Sequence, residues 1–599
     1  MKTTITASVL VAAFGLLSAS AALPVYQPKV TLNDIYFHHP GAEPLLRYNH
    51  DVDIVKFKGR FFAAWNANAT GAEGVPGQFN YLSVSDDFAS WSKPVRLFCK
   101  DGGCENPVET DNQWQPDFIN WRDETLFCAW CDYNTRRTFI ATSSDGLGWR
   151  NHEVPTAPPA LAGKVVGFPT NHGLITRKNV MLFPCSLPFI EAKNYQVGDT
   201  RYAGILRSED GGKTWSWSEP IEAISWKQAG ENPAEFGGDT ITLWEPMVFE
   251  QADGKLGLLI RNSTAQEHPE RAEKPHRMLL YATSSDEGRT WTKARTVEVD
   301  TICSRNFAVS GVSAGVCNCS GGLRPPSEVC GTCGGRRPPL QGTPDSLLMV
   351  MNDNNVRVPE RISHDRYFLS LYCSPVCDPD LLLPGPVVQP QGGCAYYPNG
   401  FVEGGKLFIA YTYPGGIHSS VIAPLPDFSQ PFLLPREGRA GLKLEDGIAH
   451  FGQRQSSLGL VLTEKLTQQP QLHLAFDVNV SKYNGGDWPL LTLGGKTHNG
   501  TTLRAIYSEE AKADVFQIAI GGNKWADLTP CKLKTWYHVE VELTQEGFAV
   551  SINGAPAQSF KKPLLRKICF GGLYVAPPWP LGISGNNDVQ VKLDSIKVE

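Results

Sequence analysis

Short apolar stretches arranged in pairs dominate the first two thirds of the chain. Each unit consists of a polar residue, an apolar strand, a tight turn and a second apolar strand. Two further apolar stretches, at 347–351 and 367–371, can supply two more units, although the region 301–378 is irregular. We therefore expect a β-propeller of seven blades, alternatively six, between about residues 24 and 430. The five clear units lie at 50–65, 115–130, 168–183, 245–260 and 397–411.

A second repeat follows several of these strands. Residues 208–215 and 284–291 both fit Ser-x-Asp-x-Gly-x-Thr-Trp, 143–149 is one residue shorter, and 85–91 lacks the glycine. In such a turn Asp accepts backbone hydrogen bonds and Gly permits a positive φ. The repeats resemble the Asp boxes of sialidase-like β-propellers. In that family they lie on the blade periphery, so they predict the fold and not the chemistry.

The pattern changes after Pro426, where the repeats stop and strands of alternating polarity begin. Examples are 471–478, 536–543 and 547–554, the last ending in an Asn-Gly turn. The organisation we expect is a catalytic propeller over 23–430 and a concanavalin- or laminin-G-like β-sandwich over 435–599. Such sandwiches bind carbohydrate or brace a catalytic domain, and we favour the bracing role.

Composition and the N-terminus narrow the function classes. The formal net charge is −6 over 599 residues, and charged residues make up only 19%, which gives no support to nucleic-acid or membrane binding. Residues 1–22 read as a signal peptide, with Lys2 before an apolar run and Ala-Ser-Ala before the cleavage point. The chain is therefore expected to be secreted and extracellular.

Cysteines and glycosylation sequons agree with secretion. Fifteen cysteines predict disulfides, with one thiol left over for which Cys185 is the candidate. The Cys-x-Cys and Cys-x-x-Cys pattern within 303–333 could bind zinc, but a disulfide-stapled insertion is favoured. The sequence leaves the pairing open: Cys99/Cys104, Cys128/Cys131 and Cys373/Cys377 are closely spaced, and Cys531/Cys569 is a candidate bridge in the sandwich. The expected glycosylation sites are Asn68, Asn262, Asn318, Asn479 and Asn499.

The start of each innermost propeller strand should converge on one mouth of the central tunnel. The repeat register nominates His50, Gln115, His172 (or Asn171), Glu245 and Tyr397 (or Asn399). His50 and Gln115 precede the tryptophan of the second strand by the same number of residues, so we expect them to be structurally equivalent. One register position thus carries unlike polar residues, which favours a functional role over a purely structural repeat.

His50 is the first candidate for acid–base chemistry, because imidazole exchanges protons near neutral pH. The alternative is a structural histidine bonded to Asn49 or Asp53. His172 is either its partner or a structural histidine at a turn. Three arginines at strand positions are further candidates, because a guanidinium can bind a carboxylate with two hydrogen bonds. The alternative is that each faces outward from its blade. The three are Arg201, Arg261 and Arg277.

The first blade resembles that of secreted propeller enzymes acting on uronic-acid polysaccharides. The resemblance rests on Tyr48-Asn49-His50, the strand 58–65, Pro76-Gly77-Gln78 and the segment 83–91. The group includes ulvan lyases, and the propeller followed by a β-sandwich is most similar to the fungal L-rhamnose-α-1,4-D-glucuronate lyases that act on gum arabic. Sialidases carry Phe/Tyr-Arg-Ile-Pro at this point, which the chain lacks after Arg47.

This resemblance implies a polysaccharide lyase that releases L-rhamnose from the glucuronate caps of an acidic plant polysaccharide by β-elimination. His50, His172, Arg201 and Arg261 would be catalytic, and the substrate-binding set would be Gln115, Glu245, Arg277, Tyr397 and Asn399. We expect the protein to be a monomer. We also expect a calcium ion at the tunnel centre, although the sequence does not indicate which residues would bind it. Two rivals remain: an exo-acting glycoside hydrolase (sialidase-like or an α-L-rhamnosidase) and a non-catalytic carbohydrate-binding propeller.

Overall fold

In the computed structural model the regular secondary structure of the described residues is almost entirely β-strand. No helix among the described residues is long and apolar enough to cross a membrane. The structure describes residues 22–39, 41–191, 201–228, 241–264, 278–300, 304–311, 346–352, 368–389, 394–436, 442–445, 448–451, 457–482, 488–494, 500–508, 511–521, 524–570 and 590–599. The predicted signal peptide lies outside these ranges, apart from Ala22.

Within the described residues the propeller has six blades, each an antiparallel sheet. The first strand, β1 (Lys29–Phe37), pairs with a strand near the end of the propeller and so closes the ring. Blade 1 contains β2 (Tyr48–Phe57), β3 (Arg60–Asn68), β4 (Phe79–Ser85) and β5 (Val95–Arg96). Blade 2 contains β6 (Gln113–Trp121), β7 (Thr125–Asp132), β8 (Arg137–Ser143) and β9 (Arg150–Glu153). Blade 3 contains β10 (Phe168–Pro169), β11 (Leu174–Ile175), β12 (Met181–Ser186), β13 (Ala203–Ser208) and β14 (Ser216–Trp217).

The remaining three blades complete the ring. Blade 4 contains β15 (Leu243–Glu250), β16 (Leu256–Asn262), β17 (Met278–Ser284) and β18 (Arg295–Asp300). Blade 5 contains β19 (Phe307–Ser310), β20 (Leu347–Asn352), β21 (Leu369–Ser374) and β22 (Leu383–Val387). Blade 6 contains β23 (Tyr396–Glu403), β24 (Lys406–Tyr413), β25 (Gly416–Ala423) and, outermost, β1. Short 3₁₀ turns among the described residues lie at Lys100–Gly102, Pro159–Leu161 and Pro379–Leu381.

The all-β propeller is confirmed, but the preferred count of seven blades is wrong and the alternative of six is right. The two apolar stretches counted as separate units, at 347–351 and 367–371, correspond to β20 and β21. These strands pair with each other in blade 5, so they contribute one blade rather than two.

The Asp boxes join the third and fourth strands of blades 1 to 4. In blade 4 the Asp286 carboxylate accepts from the Thr290 amide at 3.0 Å and from its hydroxyl at 2.7 Å, while Ser284 donates to Asp286 at 2.8 Å. These bonds lower the pKa of the Asp286 carboxyl even though burial opposes them. The boxes therefore hold hairpins at the rim, as the repeat predicts.

Beyond the propeller, two seven-stranded sheets pack face to face as a β-sandwich. Strand β35 (Trp536–Thr544) alternates buried and largely exposed side chains along its length, as expected of a sheet with one face against a core. Phe476 and Phe570, from opposite sheets, meet edge to face at 5.1 Å. One sheet contains β26 (Phe432–Arg436), β29 (Ser457–Val461), β31 (Trp488–Leu493), β32 (Thr501–Ser508), β33 (Ala513–Gly521), β34 (Lys524–Pro530) and β38 (Ile568–Phe570). The other contains β27 (Leu442–Glu445), β28 (Ile448–Phe451), β30 (Gln471–Lys482), β35 (Trp536–Thr544), β36 (Phe548–Ile552), β37 (Gln558–Phe560) and β39 (Gln590–Val598). A short helix, α1 (Glu464–Gln468), begins after Thr463, whose side chain accepts from the Leu466 amide.

The sandwich packs on blade 5 of the propeller, where Leu383, Leu434 and Val461 share one apolar cluster. The buried Lys567 ammonium donates to the Glu298 carbonyl at 2.5 Å, and burial lowers the pKa of this lysine to about 8. These contacts are consistent with the bracing role, while the boundary between 430 and 435 stays a prediction.

None of the four expected bridges forms among the described residues, because at least one cysteine of each pair carries a free thiol. The described free thiols are those of Cys99, Cys104, Cys128, Cys131, Cys185, Cys373, Cys531 and Cys569. Cys128 and Cys131 lie three residues apart on β7, so their side chains point to opposite faces of the strand and cannot bond. Cys185 is a buried thiol, as expected, and burial raises its pKa. The cysteines at 303–333 lie outside the described residues.

Candidate functional site

Backbone strain marks one end of the propeller tunnel. The innermost strands of blades 1, 2, 4 and 6 each contain a register shift at their first residues. At each shift a residue other than glycine adopts the left-handed region: Asp51 (φ 54°), Gln115 (φ 47°), Glu245 (φ 46°) and Tyr397 (φ 59°). Such residues cost about 1–3 kcal/mol each and cluster at functional sites. A bulge also redirects its side chain, which explains why these four converge.

The expected equivalence of His50 and Gln115 is wrong by one residue. The left-handed position of blade 1 is Asp51, and His50 occupies the position of Trp114. The cause is the hairpin that follows, which has two residues between Phe57 and Arg60 in blade 1 but three between Trp121 and Thr125 in blade 2. Counting back from the second-strand tryptophans therefore shifts the register.

His50 lies in an aromatic enclosure at this mouth. Its ring stacks on Tyr397 with centroids 4.3 Å apart and an interplanar angle of 21°. Tyr48 and Tyr396 meet it edge on, at 5.7 and 5.3 Å. The imidazole Nδ1 lies 3.1 Å from the Thr412 hydroxyl, and this contact leaves Nε2 facing Asp51, 3.8 Å from its carboxylate oxygen. The histidine is thus held by blade 6, whereas Asn49 accepts from the Trp65 indole and Asp53 pairs with His172.

Beside this enclosure lies a buried ion pair shared with a phenol. The Arg261 guanidinium donates through Nη1 to Glu245 at 2.6 Å and to the Tyr397 hydroxyl at 2.7 Å. The arginine and the glutamate are each only 1% exposed. A cation donating to a phenol oxygen stabilises negative charge on that oxygen. Arg261, Glu245 and Tyr397 come from two blades, and the structure brings all three of these predicted residues together.

Asp51 and Arg305 form a second buried pair in the same cluster. The Arg305 guanidinium, fully buried, lies 3.8 Å from an Asp51 carboxylate oxygen and 5.2 Å from the Tyr397 ring centroid. Burial raises the pKa of the Asp51 carboxyl to about 8, and Glu73 and Glu245 add to the rise while Arg305 opposes it. Asp51 is therefore suited to hold and release a proton near neutral pH. A hydrogen bond from Gln115 reaches the same carboxyl, which places Gln115 in the group.

His172 is paired with Asp53 and not with His50. Its Nδ1 lies 2.9 Å from an Asp53 carboxylate oxygen. The same carboxylate accepts from the amides of Ile54 at 2.7 Å and Phe118 at 2.6 Å, so it ties blades 1, 2 and 3 together. This is the structural alternative considered for His172. Close by, burial together with the Asp53 charge raises the pKa of the Asp117 carboxyl well above its usual range.

The other predicted residues are less informative. Arg201 is exposed before β13, and no recorded contact of the described residues joins it to the cluster. Arg277 lies outside the described residues. Asn171 and Asn399 are fully buried and bond to backbone, the first donating to the Asn306 carbonyl and the second accepting from the Gly400 amide. These two asparagines therefore act as braces of the tunnel wall.

Asp51 and Arg305 are the residues that sequence reasoning missed. Arg305 precedes the apolar strand β19, just as the nominated residues precede theirs, so the same rule could have found it. The irregular segment around 301–378 concealed that strand. Asp51 was passed over because His50 beside it was the more familiar acid–base residue.

One combination at the mouth could bind a metal ion. His50, Asp51 and Glu73 each offer a ligand atom, and these atoms lie within 4.8 Å of one another. One imidazole with two carboxylates suits a transition metal better than calcium, which prefers oxygen ligands throughout. The calcium ion expected from the resemblance stays a prediction.

The described sequons are poor acceptors for a glycan. Asn68, Asn262 and Asn479 are buried and hydrogen bonded: the Asn68 amide donates to the Ala72 carbonyl at 2.6 Å, and the Asn262 oxygen accepts from the Thr264 amide at 3.1 Å. Glycosylation at these three positions stays a prediction. Asn318 and Asn499 lie outside the described residues.

Comparisons with known proteins give a distant likeness only. No protein-family model matches the chain, and no curated protein matches it. Among solved structures, Trypanosoma rangeli sialidase is similar at 12% identity and a TM-score of 0.47, with 96% of each chain covered. A protein of unknown function from Dyadobacter fermentans is similar at 13% identity and a TM-score of 0.43, covering 66% of this chain and 99% of that one. We draw no argument about function from likenesses this distant.

Proposed function

We propose that the chain is a secreted carbohydrate-cleaving enzyme that releases L-rhamnose from rhamnosyl-α-1,4-glucuronate caps of arabinogalactan by β-elimination. The observation that carries the proposal is the contact of His50 with Tyr397, whose hydroxyl is held by the buried Arg261. A base, an acid and a guanidinium thus meet at one mouth of the tunnel. These are the groups that elimination from a uronate requires.

The reaction removes the proton on C5 of the glucuronate and expels the oxygen on C4. The C5–H and C4–O4 bonds break, a C4=C5 double bond forms, and the leaving oxygen takes a proton to become the hydroxyl of rhamnose. The C5 proton is weakly acidic because the neighbouring carboxylate is already charged. Neutralising that carboxylate with a cation stabilises the enolate-like transition state, and such electrostatic stabilisation is commonly the largest single contribution to catalysis.

In this proposal each residue of the cluster has one task. His50 accepts the C5 proton through Nε2, and Tyr397 protonates the leaving O4. Arg261 faces the substrate carboxylate while Glu245 holds its guanidinium in place at 2.6 Å. Asp51 and Gln115, at the equivalent left-handed positions of blades 1 and 2, bind sugar hydroxyls.

Incubation with gum arabic tests the proposal, with ultraviolet absorbance and released sugars followed together. Absorbance from an unsaturated uronate should rise in step with free rhamnose. The variant His50→Ala should lose about 10²–10⁴-fold in rate, the usual contribution of a general acid or base, while retaining the substrate. The exposed His152 provides the matched control His152→Ala, which should keep full activity. Full activity in His50→Ala would contradict the assignment.

A second candidate is a retaining glycoside hydrolase, and one observation favours it. The Arg261 guanidinium donates through one nitrogen both to the Tyr397 hydroxyl oxygen and to the Glu245 carboxylate. Asp51, which can hold a proton, lies in the same cluster. A tyrosine supported in this way can act as a nucleophile, as sialidases show among glycosidases. A fluorinated sugar donor should then leave a covalent adduct on Tyr397, which the elimination mechanism does not form.

A further inference from the structure

The end of blade 6 that meets His50 carries a second group of aromatic side chains farther out. The register places Tyr396 opposite Thr412, Tyr413 opposite Gly416, and Gly416 opposite Phe37. All of these positions therefore lie at the same end of the blade. Strands β23, β24, β25 and β1 lie side by side in this order. The outermost strand β1 is therefore three strand spacings, or about 14 Å, from the innermost strand β23.

Phe37 is unusual in its exposure. Among the described Phe, Tyr and Trp residues of the six blades it is the most exposed, at 45%. Its ring meets His418 edge on at 5.9 Å, and Tyr413 meets the same imidazole at 4.5 Å. The ring is thus fixed by its neighbours while much of it faces solvent.

A glycine hairpin leaves the Phe37 ring uncovered. Gly415 adopts φ +88°, and a Cβ built there would lie 3.6 Å from the Phe37 ring, in contact with it. The absent side chain keeps this part of the ring open. Beside it, the largely exposed Asp34 carboxylate holds His418 at 2.7 Å and offers further acceptor positions to solvent.

We propose that Phe37, Tyr413, His418 and Asp34 form an outer subsite that binds a neutral sugar residue of the polysaccharide cleaved at His50. The C–H face of a sugar ring stacks on an exposed aromatic ring, and its hydroxyls donate to a carboxylate, so the chemistry of the patch suits a sugar. The negative charge of Asp34 disfavours a uronate, which selects a neutral residue. The proposal rests on the proposed function, because the subsite matters to turnover only if the mouth cleaves the same chain.

The test compares a polymeric with a short substrate in Phe37→Ala, Phe37→Trp and the control Tyr507→Ala, which removes an equally exposed aromatic ring from the sandwich. With gum arabic, Phe37→Ala should raise KM about three- to tenfold, the equivalent of one aromatic contact, and leave kcat unchanged. With the rhamnosyl-glucuronate disaccharide the same variant should match the wild type. Phe37→Trp should restore the KM for the polymer. Tyr507→Ala should leave the KM unchanged for both the polymer and the disaccharide.

A binding measurement separates this inference from the proposed function. If no substrate is cleaved, the proposed function fails, yet retention on native gels containing gum arabic still tests the subsite. Weaker retention of Phe37→Ala than of the wild type and of Tyr507→Ala would support it. Equal retention of all three, or an equal KM change for the polymer and the disaccharide, would overturn it.

Discussion

Replacing Arg261 by Met separates the structural from the chemical role of the buried pair at the tunnel mouth. The substitution removes the partner of Glu245 and leaves a carboxylate that is 1% exposed without its cation. Stranding a buried charge in this way costs about 3–5 kcal/mol. The Tyr397 hydroxyl also loses a donor at 2.7 Å, which adds about 1 kcal/mol. We therefore expect Arg261→Met to lower the free energy of unfolding by about 4–6 kcal/mol.

The double variant Arg261→Met/Glu245→Met should recover most of this loss. Exchanging both members of a buried ion pair for apolar residues of similar size is often neutral or stabilising. We expect the double variant to lie within about 1–2 kcal/mol of the wild type, the remainder reflecting the Tyr397 hydroxyl. Activity should not return, because both variants lack the guanidinium that we propose binds the substrate carboxylate.

Urea unfolding measures the free energy of unfolding, and turnover of gum arabic measures the activity, both on the same preparations. The control is Arg137→Met, which breaks the exposed pair with Glu153 at 3.1 Å and should cost less than about 1 kcal/mol with full activity. A double variant as unstable as Arg261→Met would show that the stranded Glu245 charge is not the cause. A double variant that regains activity would refute the role of Arg261 in binding the substrate.

Four other perturbations follow from the structure. Burial raises the pKa of Asp51 to about 8, so the folded protein holds a proton that the unfolded chain releases near pH 4. The free energy of unfolding should therefore fall as the pH rises from 4 to 8. Urea titrations of Asp51→Asn should lack the part of this fall that Asp51 causes. His172→Gln should destabilise the protein by about 1–3 kcal/mol by loosening Asp53, yet leave kcat within a few-fold of wild type; a loss as large as that of His50→Ala would make His172 catalytic. Asp286→Ala should cost about 0.5–1.5 kcal/mol for each lost Asp-box bond in a denaturant series and leave activity unchanged, since the box lies on the rim. Alkylation of the unfolded, unreduced protein should modify at least the eight cysteines described as free, and loss of any of them from the modified set in mass spectrometry would contradict its free thiol.

The fold was largely predictable because its repeats are local. Each strand pair and each Asp box is a short segment whose turn chemistry is visible in a few residues. The blade count was harder, since β19 is four residues long and β20 follows it only after 36 residues, so no tight hairpin marked blade 5. Closure of blade 6 by β1 joins strands nearly 400 residues apart, which no local pattern reveals.

The sequence predicts the residue types of the site better than it predicts which side chains contact each other. Glu245, Arg261 and Tyr397 were all nominated, yet nothing in the sequence indicates that one guanidinium nitrogen joins the other two. The register of Asp51 depends on a one-residue difference between two hairpins, and a bulge of this kind leaves no local signature. Close spacing in the sequence does not decide whether two cysteines can bond, because the strand geometry of Cys128 and Cys131 points their side chains in opposite directions.

The most direct test of the central claim is the oxygen isotope of the rhamnose released from gum arabic in ¹⁸O-labelled water, sampled before the anomeric oxygen exchanges. Elimination leaves the glycosidic oxygen on rhamnose, so the account predicts unlabelled rhamnose together with an unsaturated glucuronate. Hydrolysis of the same bond at the rhamnose anomeric carbon places a water oxygen on that sugar. Labelled rhamnose without unsaturated product would contradict the elimination mechanism and favour the tyrosine nucleophile.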